Sequence, residues 1–440
     1  MSILQSALPT LKVILPSICY SFLALVFLIG MVRLLLIGRS TALLKRHVRS
    51  LRSVDYRRFQ DSEHIMPVSL ILPAVLETGS LQEQLENLLS LDFKQYELIV
   101  VANSMHAETW ASLNNTYKLL PFRQPYKKTL KSAQIEGIYR SASDVRLVVL
   151  DTKTESIASA LNAGVNLSSY PIIAPVYPDL RLTKDALLKT VYAFVSDPAC
   201  MYIGSFARVG AAADDARRNR ATLLEEEQFL ERINSFYINR AGYADLGLYL
   251  TLNHTFAAFL KSAVLETGGF SEAAKAESAD LLLRIHARMR REKRTYCARL
   301  LPDAVCVQLP QKRMRGVLAS IKRGQREMRD TVRRNRSITR EIPGATDTRF
   351  AEKIWPFMEL VGIIIVICAG LLGIVPPLFV GLYLLLGVLF GAVQSVLTAL
   401  LEEYAFQRQT DTGRLLRRYL LAVIDQLGYR LLTTLARIFS

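Results

Sequence analysis

The sequence predicts an α/β protein: a mostly parallel sheet flanked by helices, with transmembrane and interfacial helices at both ends. Three observations lead to this prediction. Short apolar runs alternate with amphipathic helical patterns in the middle of the 440-residue chain, which is typical of a sheet covered on both faces. Long uncharged apolar stretches lie near both ends. Clusters of Lys and Arg border these stretches and contribute to a formal net charge of +16.

The composition excludes several classes of protein. A chain that is 51% hydrophobic and 21% charged is too apolar to be disordered, and its length predicts two or three structural units. Five cysteines without a CxxC pair argue against a disulfide-dense secreted scaffold, a zinc ribbon or a redox motif. Basic chains commonly bind nucleic acid or anionic membranes. Because the apolar residues concentrate at the ends, we expect anionic inner-leaflet lipid as the partner and no nucleic acid.

Three membrane spans are predicted, at Val13–Val32, Phe357–Val375 and Leu378–Leu400. About 20 apolar residues are needed for a helix to cross about 30 Å of hydrocarbon, and Pro376 and Pro377 between the second and third runs predict a hairpin tip. The first run is longer than the core of a cleaved signal peptide, so we expect it to remain as an anchor. Lys and Arg follow the first and third spans, which places the N-terminus outside and the central segment and C-terminus in the cytoplasm.

Six segments follow from these patterns. Lys312–Arg340 is dense in Lys and Arg, and apolar residues recur at helical spacing from Leu416 to Ile438, with arginines among them; both predict helices on an anionic membrane surface. The predicted order is an N-terminal transmembrane helix, a basic juxtamembrane segment, a cytoplasmic α/β domain, basic interfacial helices, a transmembrane hairpin and an amphipathic interfacial helix, at residues 1–40, 41–65, 66–310, 311–353, 354–401 and 402–440.

The elements of the central domain can be predicted in order. Short runs rich in Val, Ile and Leu predict strands, and they lie at Val68–Leu72, Glu97–Val101, Arg146–Leu150, Pro171–Val176 and Met201–Phe206. Capping residues before apolar helical patterns predict helices, with Ser80 and Glu83 as a capping box for the first and Thr183 as the cap of the last; these lie at Leu81–Leu89, Ser156–Val165 and Thr183–Phe194. Ligands of such sheets bind beyond the carboxyl ends of the strands.

Several motifs resemble glycosyltransferase family 2, which has the GT-A fold, in its membrane polysaccharide-synthase branch. Val68–Glu77 (VSLILPAVLE) resembles the opening strand and P-A-Y-N-E turn, and Ala160–Gly164 resembles the A-L-N-x-G helix. Phe259–Phe270 (FLKSAVLETGGF) resembles the acceptor-side strand, helix and G-G-F turn, and Asp280–Arg284 resembles the end of the E-D-x-D-L-x-L-R helix. The resemblance covers roughly residues 66–329. It implies a protein of the bacterial inner membrane that acts in exopolysaccharide and biofilm assembly.

The resemblance implies sugar transfer from a nucleotide-sugar to an acceptor hydroxyl, with Mg or Mn held by a D-x-D motif. Here the triplet is Tyr177-Pro178-Asp179, so Asp179 is the remaining candidate for metal and substrate binding. A phenol is a poor ligand for these cations near neutral pH. The family's paired nucleotide-binding aspartates correspond to Ala102 and Asn103, and Asn103 can still donate or accept a hydrogen bond. Glu77 of the opening turn is a further substrate-binding candidate.

The position of the general base is also changed. The aspartate of the family's T-E-D corresponds to Ser278, which leaves Glu277 and Asp280 as candidate catalytic residues; loss of a general base typically lowers a rate by about 10²–10⁴. Other family positions are also replaced. Ile157 stands for the diphosphate-facing lysine, His254 for a small acceptor-side residue, and Gly324, Glu327 and Met328 (or, shifted by one residue, Gln325, Met328 and Arg329) for Q-x-x-R-W.

These substitutions predict a pseudo-glycosyltransferase, a protein that retains the family fold but has other residues at the positions of the catalytic and binding side chains. We expect no cofactor of its own, and a role as a partner within a polysaccharide synthase complex. One alternative is an active, atypical hexosyltransferase that uses Asp179, Glu277 or Asp280. Such an enzyme would bind a nucleotide-sugar with Mg or Mn. The other alternative is a membrane interaction or nucleotide-sensing module that uses the arginines at residues 333–336.

Overall fold

The computed structural model describes residues 2–52, 56–63, 65–74, 81–103, 107–210, 222–245, 256–341, 347–406, 412–424 and 428–438. Short segments rich in β-branched and other apolar residues form a single sheet of ten described strands. In chain order these are β1 Val68–Ala74, β2 Tyr96–Asn103, β3 Leu119–Pro121, β4 Ile135–Ser141, β5 Leu147–Thr152, β6 Ile172–Pro175, β7 Leu180–Leu182, β8 Cys200–Val209, β9 Ala257–Leu260 and β10 Cys297–Gln308.

Helices flank this sheet and extend from it at both ends of the chain. Those before the end of the central domain are α1 Ser2–Arg52, α2 Tyr56–Gln60, α3 Leu81–Leu89, α4 Ala107–Tyr117, α5 Ile157–Leu167, α6 Ala186–Val195, α7 Leu223–Asn234, a π-helical segment Ser235–Ala241, α8 Gly242–Asp245, α9 Lys261–Glu266 and α10 Glu277–Arg291. The later ones are α11 Met314–Arg334, α12 Arg336–Glu341, α13 Asp347–Leu371, α14 Pro377–Phe406, α15 Thr412–Ile424 and α16 Tyr429–Ile438.

The strand order is β3-β4-β5-β2-β1-β6-β9-β8-β10-β7. The four strands β5, β2, β1 and β6 run parallel to one another, as predicted, and β8 runs parallel to β10. The remaining pairings of the described strands are antiparallel. The α/β class is therefore confirmed, but the sheet is mixed, because hairpin-like neighbours add antiparallel strands on either side of the parallel centre.

Apolar side chains fill both faces of the sheet, because alternate residues of a strand point to opposite sides. On β1, Leu70 and Leu72 belong to the core on one face, and Ile71 belongs to the core on the other. Helix α5 packs on the Ile71 face, where a Cβ on Gly164 would lie 2.5 Å from the Ile71 Cγ2. Only glycine therefore allows α5 to approach β1 this closely.

The predicted strands and helices of the central domain are all found, with ends shifted by a few residues. One cap differs from the prediction. Helix α6 begins at Ala186 rather than at Thr183, because the Thr183 hydroxyl bonds Asp185 and the Val305 carbonyl instead of capping a helix. The predicted single amphipathic helix after residue 411 is described as two helices, α15 and α16, and residues 425–427 between them lie outside the description.

Three described helices are long and apolar enough to cross a membrane: Ile14–Arg49 within α1, Ile354–Leu371 within α13 and Pro377–Tyr404 within α14. The turn between the last two contains Gly373 at φ +66° and precedes Pro377. Helix α1 continues without a break past the boundary predicted at residue 40. Its far end reaches the central domain, where the His47 Nε2 lies 2.9 Å from the Asp303 Oδ2.

Helix α7 joins the central domain to the C-terminal helices. Asn234 at its end donates to the Ser395 hydroxyl of α14 at 2.8 Å. Glu226 accepts a 2.8 Å bond from Arg418 of α15, and Glu231 pairs with Arg437 of α16. These partly buried contacts connect α7 to α15, to α16 and to α14, a helix long and apolar enough to cross a membrane.

Candidate functional site

The candidate site lies where the parallel strands β2, β5 and β6 end. Because these strands run parallel, their carboxyl ends lie at one edge of the sheet, and ligands of such sheets bind beyond that edge. Ala102 and Asn103 end β2, Asp151 and Thr152 end β5 in register beside them, and Tyr177 follows β6. The Thr152 hydroxyl donates to the Ala102 carbonyl at 2.8 Å and ties the two strand ends together.

Tyr177, at the position that the motif resemblance assigns to the first D-x-D aspartate, reaches across to helix α10. Its hydroxyl lies 3.4 Å from the Glu277 Oε2 and 3.3 Å from the Ser278 Oγ. Burial first, and then the Glu277 charge, raise the pKa of the Tyr177 phenol above its ordinary value. The phenol therefore stays neutral, and it links the end of β6 to Ser278, the residue that the resemblance places at the general-base position.

Asp179 lies in the turn before β7 and is exposed. Its Oδ2 accepts a 2.8 Å hydrogen bond from the Gln308 amide at the end of β10. Gln308 in turn accepts a 2.8 Å bond from the Arg232 guanidinium of α7. Burial, and next the charge of Arg240, lower the pKa of Arg232. The hydrogen bond to Gln308 replaces one of the hydrogen bonds to water that this buried guanidinium has lost.

Asp280 is completely buried. The hydrogen bonds of the Tyr177 hydroxyl that the structure describes go to Glu277 and Ser278, not to Asp280. The Arg284 Nε donates to its Oδ2 at 2.8 Å, and the Asn335 amide donates to its Oδ1 at 2.7 Å. Arg284 continues to the carbonyls of Thr267 and Gly269 at 2.8 and 2.6 Å. Both carboxylate oxygens are thus engaged in holding α10, the glycine turn and the end of α11 together.

The predicted nucleotide-binding position is only partly polar. The Asn103 Oδ1 accepts a 3.1 Å bond from the Thr154 backbone N–H, so this side chain orients the segment before α5. Sequence reasoning missed Asp151, which lies beside Ala102 in register. Its buried Oδ1 has no hydrogen-bond partner among the described residues. The signal was an acidic residue directly after an apolar strand, one position beyond the predicted end.

The A-L-N-x-G and G-G-F motifs have a structural role at these contacts. The Asn162 amide donates to the carbonyls of Lys131 and Phe270, and its Oδ1 accepts from the Phe270 N–H at 2.8 Å. Gly269 adopts φ +76°, and a Cβ there would lie 2.5 Å from the Asn162 Oδ1. These contacts hold α5 against the turn at Gly269 and Phe270, and none of them involves Tyr177 or Ser278.

The remaining predicted positions are dispersed or outside the description. Glu77 and His254 lie outside the described residues. Ile157 is the first residue of α5, with Ser156 as its cap, and the positions of the Q-x-x-R-W motif lie on α11. In the described parts of the chain, no group of three His, Cys, Asp or Glu side chains is arranged to hold a metal ion.

The two D-x-D positions of this chain do not fit the Mg or Mn that the resemblance implies. Such cations prefer several charged oxygens. Tyr177 offers a neutral phenol, and Asp179 is a single carboxylate already bonded to Gln308.

A comparison with protein-family models matches residues 69–268 to "Glycosyl transferase family 2". This match covers 200 of the 440 residues, just under half of the chain. The matched segment includes Tyr177 and Asp179 and ends before Glu277. The family resemblance drawn from the sequence motifs is thereby confirmed.

Curated relatives and solved structures are similar to parts of this chain. Over 250 residues the chain is 22% identical to a poly-beta-1,6-N-acetyl-D-glucosamine synthase of Staphylococcus epidermidis, which covers 56% of this chain and 53% of that protein. A synthase of the same name from Staphylococcus aureus strain MSSA476 is 21% identical over 243 residues, which covers 54% of this chain and 51% of that one. The chain thus spans about half the length of these relatives.

Among solved structures, the mannosyltransferase PcManGT of Pyrobaculum calidifontis, in complex with GDP-Man and Mn²⁺, has a TM-score of 0.49 at 14% identity. The similarity covers 91% of this chain and 99% of that one. S. aureus TarS 1–349 has a TM-score of 0.38 at 14% identity and is covered over 92% of its length, against 83% of this chain.

Proposed function

We propose that this chain is a membrane-anchored family 2 protein that has lost ordinary metal-dependent sugar transfer and serves as a partner in cell-surface polysaccharide assembly. The observation that carries the proposal is the bridge from Tyr177 to Glu277 and Ser278. A neutral side chain occupies the metal-ligand position and contacts the serine at the general-base position, so neither position supplies a carboxylate.

The magnitude of these losses supports a non-catalytic role. Loss of a general base typically lowers a rate by about 10²–10⁴. A cation that stabilises a diphosphate leaving group contributes several kcal/mol, and each 1.4 kcal/mol is about a factor of ten in rate. The two losses arise from different groups, and together they place the transfer rate many decades below that of a complete enzyme.

The surroundings of the domain support membrane attachment with the cleft in the cytoplasm. In α11, Val317, Gly324 and Thr331 are buried at a spacing of seven residues. Arg315, Arg326 and other basic residues of the same helix are exposed on the remaining surface. We assign this basic surface to anionic inner-leaflet lipid, with the N-terminus outside and the C-terminus inside a bacterial inner membrane.

The partner role is inferred from the similarity to poly-beta-1,6-N-acetyl-D-glucosamine synthases. A chain that keeps the family frame but lacks the reactive side chains can still occupy a subunit position in such an assembly. Hydrogen bonds connect Asp179 through Gln308 and Arg232 to α7, and α7 to the candidate membrane helix α14, so a continuous path of contacts joins cleft and membrane.

Titration calorimetry with a panel of nucleotide-sugars, with and without Mn²⁺, tests the loss of catalysis. We expect no saturable Mn²⁺-dependent binding by the purified full chain. The double variant Tyr177→Asp with Ser278→Asp should gain it, because it restores a second metal carboxylate and a base. Tyr177→Phe is the matched control, since it removes the hydroxyl but supplies no carboxylate. Mn²⁺-dependent binding and sugar transfer by the unaltered chain would establish the atypical enzyme instead.

Affinity purification of the full chain from detergent-solubilised membranes tests the partner role. We expect a second family 2 protein with a complete D-x-D motif to co-purify in stoichiometric amount. Deletion of the present chain should abolish polymer formation in the same cells. If polymer formation were unchanged after deletion of the present chain, the partner role would be refuted while the result of the calorimetry would stand.

A further inference from the structure

Two cysteines lie directly opposite each other at the edge of the sheet away from the candidate site. Cys200 is the first residue of β8 and Cys297 is the first residue of β10, and the two are in register in this parallel pair. Strand β8 also runs parallel to β6, since both are antiparallel to β9. The cysteines therefore lie at the opposite edge from Tyr177, which follows the end of β6.

The spacing of the two residues suits a covalent bond. Neighbouring strands lie about 4.8 Å apart, and the Cα atoms of disulfide-bonded cysteines are usually about 4.4–6.8 Å apart. The Cys200 thiol, which donates to the Tyr202 carbonyl at 3.3 Å, lies at the register position directly opposite Cys297. The pairing shifts by one residue immediately afterwards, where Ala298 lies opposite Tyr202. This bulge interrupts the regular ladder next to the thiols and gives the strand ends room to adjust.

The environments of the two thiols differ. Cys200 is 1% exposed, whereas Cys297 is only half-buried and can be reached from solvent. The neighbouring Cys200 thiol, more than the nearby Arg299, lowers the pKa of Cys297 to about 7. The same contact, together with burial, raises the pKa of Cys200. Cys297 is thus the thiolate-forming partner and Cys200 the protonated, sheltered one.

The other cysteines have no such arrangement. Cys306 is fully buried further along β10, opposite Ala207. Cys19 and Cys368 lie in the membrane helices α1 and α13. These three provide internal controls for the same chemistry.

We propose that Cys200 and Cys297 form a reversible, peroxide-responsive dithiol. The Cys297 thiolate attacks one oxygen of a peroxide, an S–O bond forms, the O–O bond breaks, and hydroxide leaves to give a sulfenic acid. The Cys200 sulfur then attacks the Cys297 sulfur, the S–O bond breaks, and the hydroxide leaves with the Cys200 proton as water. Hydrogen peroxide thereby oxidises two thiols to one disulfide and is reduced to two waters. A dithiol reductant reverses the step.

Peptide mapping of the folded full chain in detergent tests this proposal. After hydrogen peroxide treatment and blocking of free thiols, trypsin should release a disulfide-linked pair of peptides spanning residues 190–208 and 295–299. The Cys306 peptide, residues 300–312, is separate from both. Dithiothreitol should remove the link. Absence of this linked pair in peroxide-treated folded protein would overturn the proposal.

Variants separate the roles of the two thiols. Cys200→Ser should prevent the link and leave a sulfenic acid at Cys297 that a cyclic 1,3-diketone labels, at least fivefold more than in the unaltered chain. Cys297→Ser should show neither link nor label at Cys200, and Cys306→Ser should behave as the unaltered chain does. Equal labelling of Cys297 with and without Cys200 would show that the two thiols do not react with each other.

Discussion

The most informative perturbation of the domain is removal of the Asp280 carboxylate, because the structure and the sequence motif give it different roles. The motif makes Asp280 a candidate catalytic residue. The structure shows it fully buried, with bonds of 2.8 Å from Arg284 and 2.7 Å from Asn335. A residue with both oxygens used in this way positions α10 against α11 rather than accepting a proton from a substrate.

The expected magnitude follows from these contacts. Asp280→Ala leaves the largely buried Arg284 guanidinium, whose side chain is 23% exposed, without its carboxylate. Removal of one partner from a buried ion pair typically costs about 3–5 kcal/mol of unfolding free energy. Asp280→Asn keeps the shape and one acceptor oxygen, and we expect it to cost about 1–3 kcal/mol. Glu272→Ala removes an exposed carboxylate nearby and should change stability by less than about 0.5 kcal/mol.

Chemical denaturation of the full chain in detergent micelles, followed by circular dichroism, measures these differences. The order of stability should be unaltered chain and Glu272→Ala, then Asp280→Asn, then Asp280→Ala. A loss of less than about 1 kcal/mol for Asp280→Ala would refute the structural role, because the desolvated arginine could not then depend on the carboxylate. A variant that is stable but loses nucleotide-sugar turnover would instead identify Asp280 as catalytic.

Three further predictions can be tested on the same preparation. Gly164→Ala should cost about 1–3 kcal/mol, because its Cβ would lie 2.5 Å from a fully buried isoleucine, whereas Gly38→Ala meets nothing within 4 Å; thermal melting compares them. Burial lowers the pKa of His286 to about 4, whereas an unfolded histidine titrates at about 6.5. The unfolded chain therefore binds the proton first, and the free energy of unfolding should fall as the pH drops from 6.5 towards 4, by up to about 3 kcal/mol relative to His286→Gln in denaturant titrations. A difference between the two proteins that does not change with pH would contradict this. Asn166→Leu removes hydrogen bonds to the backbone of residues 129 and 130. Trypsin should therefore cleave after the exposed Lys127 severalfold faster. An unchanged cleavage rate would show that Asn166 does not hold residues 129 and 130 in place.

The elements that the sequence predicted correctly share a local cause. Apolar runs such as those of β1 and β2 are buried on both faces of the sheet, so their composition alone distinguishes them from helices and loops. The membrane helices are equally local, since their length and lack of charge are sufficient. The short strands β3 and β7 escaped prediction because three residues carry no periodicity.

The site was predictable in part. Motif spacing placed Tyr177 and Ser278 at positions where carboxylates were expected, but it could not show that their side chains meet, since they are 101 residues apart in the chain. It also gave no reason to exclude Asp280 from catalysis, because its partner Asn335 lies 55 residues further on. The unpartnered Asp151 oxygen is visible only through packing.

The amino-acid sequence by itself determined the α/β class, the three apolar helices and which residues stand at the motif positions, because each is a property of a short stretch of chain or of a single position. Only the tertiary structure decided that a tyrosine hydroxyl spans the cleft, that Asp280 supports the frame, and that two cysteines separated by almost one hundred residues lie side by side. These features depend on which distant segments the sheet brings into register, and the energy of that pairing is shared among many residues rather than encoded at any one of them.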